Sequence, residues 1–362
     1  MFFSRWPAAA AISLVVYTLA ATPAQGQTEL MGPLRIRDMT PFSLLRLDML
    51  PAHAASGGPG SWAIEAELTH TNTFVMSGNV KPYLEQHGGR RALTQTDADA
   101  IQGLGEDAYY VDGEIGLLDL TFHYAPTRRS SVYLTLPVYD YTGGFLDGTI
   151  EGFHNAFGFG AAGRDAVARN RFQGVVSFGG QRVSVLDSPV EGGAGDPVLG
   201  IRHHWPLGDS RWRLVVDGAV KVALRGERPF LSTGSNDYGL QVSLQRLSRR
   251  EGIYLSASAV RTDGRVLGVP LGNRVIPTVT VAYEVGITPR TNAIVQLYAS
   301  ESAIRDTSIE EIKENKYQAS LGLRSRRGHL VYGFAVIENV ANYQNTPDVG
   351  LSLTLAWVAP RP

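Results

Sequence analysis

The chain has 362 residues, 40 of them glycine and none cysteine, and a formal net charge of −1. That balance leaves no electrostatic footprint for nucleic acid, and the missing cysteines exclude a small disulfide-stapled secreted scaffold. A mean hydropathy of −0.07 excludes a polytopic helical membrane protein. It does not exclude a barrel, in which only every second residue need be apolar.

Arg5, the apolar stretch "AAAAISLVVYTLAA" and the small residues "AQG" at 24–26 read as an export signal over residues 1–26. The mature chain is then expected to start near Gln27. Residues 27–60 form a moderately apolar N-terminal segment carrying Leu34, Ile36, Phe42, Leu44, Leu45, Leu47, Met49 and Leu50, closed by the flexible "SGGPGS".

From Ser61 onward one pattern recurs. "RWRLVVDGAVKVAL" (211–224) sets Trp212, Leu214, Val216, Val220, Val222 and Leu224 on one parity and Arg211, Arg213, Asp217 and Lys221 on the other. Period two marks a strand with one apolar and one polar face. Twelve such strands are expected, at residues 61–74, 109–124, 130–141, 195–205, 211–224, 237–249, 251–262, 275–288, 291–302, 316–327, 329–339 and 348–358. In the second, the parity slips at Leu117–Leu118, which predicts a β-bulge. Strands of this length suit a tilted crossing of a hydrocarbon core, which takes roughly 9–11 residues.

The connections alternate between short ones, such as "APTRR", "PLGDS" and "RRG", and longer ones, of which residues 142–193 are the longest. Outer-membrane barrels sort their loops in this way, with short periplasmic turns and longer extracellular loops. Trp62, Trp205, Trp212 and Trp357 all fall at the periplasmic strand ends and form an expected interface girdle. Tyr139, Tyr141, Tyr238 and Tyr317 fall at the opposite ends as a candidate outer girdle. Several apolar parities have no charge in their middle, where a lipid-facing Arg or Lys would cost about 2–4 kcal/mol. The expected fold is therefore all-β: an antiparallel transmembrane β-barrel of about 12 strands over residues 61–358, with a short tail at 359–362.

The last strand resembles the assembly signal of outer-membrane proteins through Asp348, Gly350, Leu353, Leu355 and Trp357, although "VAPRP" follows the tryptophan. "GPLRIRDMTPFSLLRLDMLP" (32–51) and "GFHNAFGFGAAGRDAVARNRF" (152–172) resemble segments of an uncharacterised family of proteobacterial outer-membrane proteins, domain of unknown function 3187. The resemblance covers nearly all of the mature chain. It implies an outer-membrane barrel and supplies no activity, substrate or catalytic residue.

The eight histidines carry no metal or hydrolase spacing. His203 and His204, being adjacent, point to opposite faces, and no HExxH, Walker A or EF-hand pattern occurs. No catalytic residue, cofactor or metal site is expected. Glu65, Glu67, Asp112, Glu114, Asp217, Lys221, Glu284 and Arg324 are expected to project into the lumen, either selecting solutes or pairing across it. In the longest loop, Phe153, His154, Phe157, Arg164, Asp165 and Arg169 form either a constriction over the pore mouth or a loop packed on the rim. Residues 29–51 either plug the periplasmic end of the lumen or hang as a periplasmic tail.

The function expected is passive passage of a small solute across the outer membrane of a Gram-negative bacterium. The expected partners are the lipid bilayer, lipopolysaccharide, that solute, and the assembly machinery acting through the last strand; nucleic acid is not among them. An outer-membrane lipid-modifying enzyme, a structural barrel with a sealed lumen and a soluble exported sandwich stay open as alternatives.

Overall fold

The structure is a computed structural model that describes residues 29–53, 59–86, 89–158, 160, 163–186, 190–208 and 211–359. The expected export signal and Gln27 lie outside the described residues, as do the side chains of Phe153 and Phe157 and residues 360–362 of the tail.

Twelve strands build the wall: β1 (Ser61–Met76), β2 (Ala108–Ala125), β3 (Ser130–Thr142), β4 (Val198–Leu207), β5 (Trp212–Lys221), β6 (Asp237–Leu247), β7 (Glu251–Thr262), β8 (Arg274–Thr288), β9 (Thr291–Ser300), β10 (Lys316–Arg327), β11 (Leu330–Ala341) and β12 (Val349–Val358). Each pairs antiparallel with the next. The ring closes where β1 meets β12, in register from Ala63↔Val358 to Asn72↔Val349. Closure leaves no unpaired edge inside a medium that cannot hydrogen-bond the backbone. Three further strands, Gln173–Phe178, Gln181–Val185 and Val190–Ala194, extend the same sheet above β2 and β3. The first two form a hairpin whose turn residues Gly179 and Gly180 have φ of 52° and 82°, the left-handed pair that a two-residue hairpin turn needs.

The outer parity is apolar and unpartnered. Leu68, Phe122, Leu199, Ile201, Leu240, Val242, Leu255, Val279, Leu297, Leu321, Phe334, Leu353 and Leu355 are all exposed along it. The inner parity of the same strands is polar and buried, with Thr69, Thr121, Asp217, Gln241, Ser243, Ser256, Thr280, Gln296, Ser320 and Ser352. A soluble sandwich would show the reverse relation, because its apolar faces pack against each other. Trp62, Trp205, Trp212 and Trp357 stand at the short-turn end, and the Trp62 and Trp357 rings lie 4.7 Å apart.

Two expectations about the faces need correction. The pairing of β2 with β1 and with β3 runs without a register shift through Leu117 and Leu118, so the predicted bulge is absent. Parity therefore continues unbroken. It places Asp112 and Glu114 on the outer side with Leu118 and Phe122, and Ile115 and Leu117 on the inner side. Tyr139 and Tyr141 likewise face inward and are buried against Phe172, leaving Tyr238 and Tyr317 exposed at the extracellular ends.

Candidate functional site in the barrel lumen

The lumen holds residues 29–53 as a hairpin that climbs from the short-turn end, reverses, and descends again. Its foot is tied to the lower wall. Met31 N and Gly32 N donate to the two carboxylate oxygens of Glu284 at 2.7 and 3.0 Å, and Tyr254 OH donates to the same group at 2.6 Å. Asn292 Nδ2 donates to Glu29 O at 2.9 Å, and Arg324 Nη1 donates to Pro33 O at 2.9 Å.

The reversal at Thr40–Arg46 is a single helical turn, with Leu44 N donating to Thr40 O at 2.8 Å. Proline at position 41 suits the start of such a turn, since its missing N–H would have no partner there. Lys316 Nζ, at the extracellular end of β10, donates to Asp38 Oδ2 at 2.7 Å, to Thr40 Oγ1 at 2.5 Å and to Ser43 Oγ. Arg37 braces the two legs by donating to Leu44 O and Arg46 O at 2.9 and 3.0 Å. Phe42 caps the turn, its ring edge-on to Tyr109 and Phe178 at 5.8 and 5.6 Å.

The descending leg is held by β4 to β7. Lys221 Nζ donates to Leu45 O at 2.9 Å, Leu47 N donates to Asp237 Oδ2 at 2.7 Å, and Gln241 and Gln245 bond the backbone of Met49 and Ala52. Small inward residues make the space. A Cβ on Gly322 would lie 2.8 Å from Leu34 Cδ2, and one on Gly239 would lie 2.4 Å from Met49 Sδ. These small inward residues thus accommodate the chain's own N-terminal segment.

Six of the eight residues expected to line the lumen face it. Glu65 lies 3.3 Å from Arg35, Glu67 accepts from Thr354 Oγ1 at 2.6 Å and from Ser352, and Asp217 pairs with Arg202 at 2.7 Å. Lys221 pairs with Asp237 at 2.9 Å, and Glu284 and Arg324 hold the foot of the hairpin as described above.

Asp112 and Glu114 do not line the lumen. They belong to a second buried polar cluster, on the outer face of β1, β2 and β12 above the apolar belt, where the longest loop folds over the wall. Glu114 bonds His70 Nε2 at 2.6 Å and accepts Phe145 N at 2.8 Å, while the Phe145 ring stacks on His70. Asp112 accepts from Tyr110 OH at 3.0 Å. The inner face opposite them is apolar because Ile115 and Leu117 meet Met39, Leu44 and Leu45 of the hairpin.

This also relocates the loop residues. Arg164 donates to Asp147 Oδ1 at 3.0 Å and Asn72 Oδ1 at 2.7 Å, pairs with Asp348, and stacks over the Phe74 ring. It is buried outside the wall, so it does not constrict the pore mouth, and Asp147 and Asp348 occupy its guanidinium. His154 sits half-buried on the helix Asp147–Phe157, and Asp165 is exposed. Arg169 pairs with Glu151, which Arg90 also holds at 2.8 Å. Burial alone would raise the Glu151 carboxyl, but the hydrogen-bonded Arg169 and Arg90 hold it down at about 2.

The residues missed from sequence are the hairpin's own charges, Arg35, Arg37, Asp38, Arg46 and Asp48. Their signal was present: five charges at short spacing among leucines, more than a tail needs.

Residues 10–358 match the family described as Protein of unknown function (DUF3187). The chain belongs to that family. Among solved structures this DUF3187 protein is similar to the COG4313 outer membrane channel from Pseudomonas putida F1, at 12% identity and a TM-score of 0.51, covering 86% of this chain and 100% of that one. More distant are the NanC porin, at 10% identity, a TM-score of 0.40 and coverage of 68% and 94%, and outer membrane phospholipase A from Escherichia coli, at 10% identity, a TM-score of 0.32 and coverage of 85% and 93%. No curated protein matches. The likeness to the COG4313 channel agrees with the fold described above, a closed twelve-stranded antiparallel barrel of the outer-membrane kind.

Proposed function

We propose that this DUF3187 protein is an outer-membrane channel for small solutes, gated by residues 29–53 within its lumen. One observation carries the reading: along both legs the hairpin is tied to inward side chains by hydrogen bonds and ion pairs, such as Lys316–Asp38, Gln241–Met49 and Glu284–Met31, that alternate with its apolar contacts. A hydrogen bond that can be exchanged for one with water contributes about 0.5–1.5 kcal/mol net, and about 1.5–3 kcal/mol where one partner is charged. Such a segment can hydrate and shift, whereas a plug locked by apolar packing throughout could not.

In this reading the bilayer wets the outer belt, lipopolysaccharide surrounds its extracellular rim, and the assembly machinery engages β12. The small solute passes without cofactor or covalent chemistry. The resemblance of the fold to the COG4313 outer membrane channel supports it. The enzyme alternative has less behind it. Ser130 Oγ and His203 Nδ1 lie 2.8 Å apart on the outer face, but among the described residues no carboxylate or amide orients the ring from its other nitrogen, as a hydrolytic triad requires.

The chain has no cysteine, so a disulfide tether can be introduced cleanly. Ala52 of the hairpin packs on Val215 of β5. In planar bilayers, oxidised A52C/V215C should conduct less than the reduced form. Equal conductance in both states would remove the hairpin as the gate, and a folded barrel that never conducts would make it a sealed structural protein.

A further inference from the structure

The inward faces of β1 and β2 bring three carboxylates together. Glu67 and Asp119 stand directly opposite in the register, and Glu65 lies two residues along β1. Glu67 and Asp119 are buried, and like charges directly opposite on a sheet repel. On the wall strands β4 to β6 the barrel balances its own charges, Asp217 with Arg202 and Asp237 with Lys221. Here it does so only in part. Arg324 approaches from β10, but its Nη1 donates to Met31, Gly32 and Pro33 carbonyls of the hairpin. His123 Nε2 lies 3.5 Å from Glu65.

The remaining positive charge comes from the hairpin. Arg35 Nε lies 3.3 Å from Glu65 and Arg37 Nη1 lies 3.5 Å from Asp119. The two arginines are two residues apart on an extended leg, so they share a side. Their contacts are longer than the roughly 2.7–2.9 Å of a tight guanidinium–carboxylate fork, which suits a pairing that can exchange.

We propose that Arg35 and Arg37 stand in for the cationic group of the solute itself: Glu65, Glu67 and Asp119 form the selectivity site, and a solute bearing an amine or guanidinium opens the channel by competing for it. The inference rests on the gated-channel reading. Lys316 has the opposite polarity near the extracellular end, but it also bonds Thr40 and Ser43 and so anchors the turn.

The test uses the full chain in planar bilayers, with agmatine as the cationic probe and glutamate as the anionic one at matched ionic strength. Agmatine should raise the open fraction of the wild type several-fold while glutamate does not, and the open state should pass potassium several-fold better than chloride. E65Q/D119N, shown to be folded by its heat-dependent gel migration, should open without responding to agmatine and without cation preference; E67Q provides a second, milder arm. An open state that prefers chloride, or responds equally to glutamate, would overturn the proposal and leave gating intact. A wild type that never conducts, whatever the probe, removes the gated-channel reading and this inference with it.

Discussion

Arg37 touches the barrel and the hairpin at once: its guanidinium lies 3.5 Å from Asp119 of β2 and donates to Leu44 O and Arg46 O across the turn. One side chain therefore couples the shape of the hairpin to the charge of the wall. R37A should loosen both. Breaking a buried pair leaves an uncompensated charge, a loss of about 3–5 kcal/mol in a dry interior and less where lumen water can enter. The expected readouts are a lower unfolding temperature and faster proteolysis within residues 29–53, with R37A/D119N partly restored. No difference between R37A and wild type in either assay would show that the brace is idle.

Gly322 tests the space the hairpin needs. A side chain there would press on Leu34 and also on Phe334 O and Ala335 Cβ, each 3.0 Å from the added Cβ. G322V should displace the ascending leg at an overpacking cost of about 1–3 kcal/mol. It should raise basal conductance while leaving the barrel heat-modifiable on gels.

The outer belt makes a prediction about lipid. Leu321 is 41% exposed midway along β10 on the apolar parity. L321R should lower the stability of the folded barrel in liposomes by about 2–4 kcal/mol. An arginine introduced on the lumen side, at Ser320, should not show that lipid penalty, although it would disturb the hairpin.

The loop assembly outside the membrane should loosen in acid. Arg91 holds Asp97 well below the usual carboxylate range by a direct hydrogen bond, and Arg169 and Arg90 hold Glu151 at about 2. A carboxyl depressed on folding contributes stability that is complete above its ordinary value and is lost as the pH falls toward the depressed one. For Glu151 that window runs from 4.5 down to about 2. Protection from hydrogen exchange in residues 90–101 and 147–169 should hold to near pH 4.5 and fall below it. R90A/R169A should loosen the segment already at neutral pH and flatten that dependence.

Two departures of the structure from the sequence pattern share a cause. Asp112 and Glu114 carry charge on a membrane strand, which by itself points away from lipid and into the lumen. They stand above the apolar belt, beneath the segment containing Phe145 and Arg164, where the outer face no longer meets acyl chains. Tyr139 and Tyr141 lie at the height of an outer girdle along the strand, but their parity faces an apolar interior created by Met39, Leu44 and Phe172. In both cases the period was legible and the surroundings were not.

By itself the sequence determined the twelve strands, their order, the alternation of short and long connections, and which parity faces outward through most of the wall. Those properties are local, because a period of two residues and a turn signal need no knowledge of distant chain. Only the tertiary structure decided what occupies the lumen and what covers the upper outer face. Both depend on contacts distant in sequence, Asp38 with Lys316 and Met31 with Glu284 in the lumen and Asn72 with Arg164 on the outer face, and no local periodicity encodes which partner a buried charge will find.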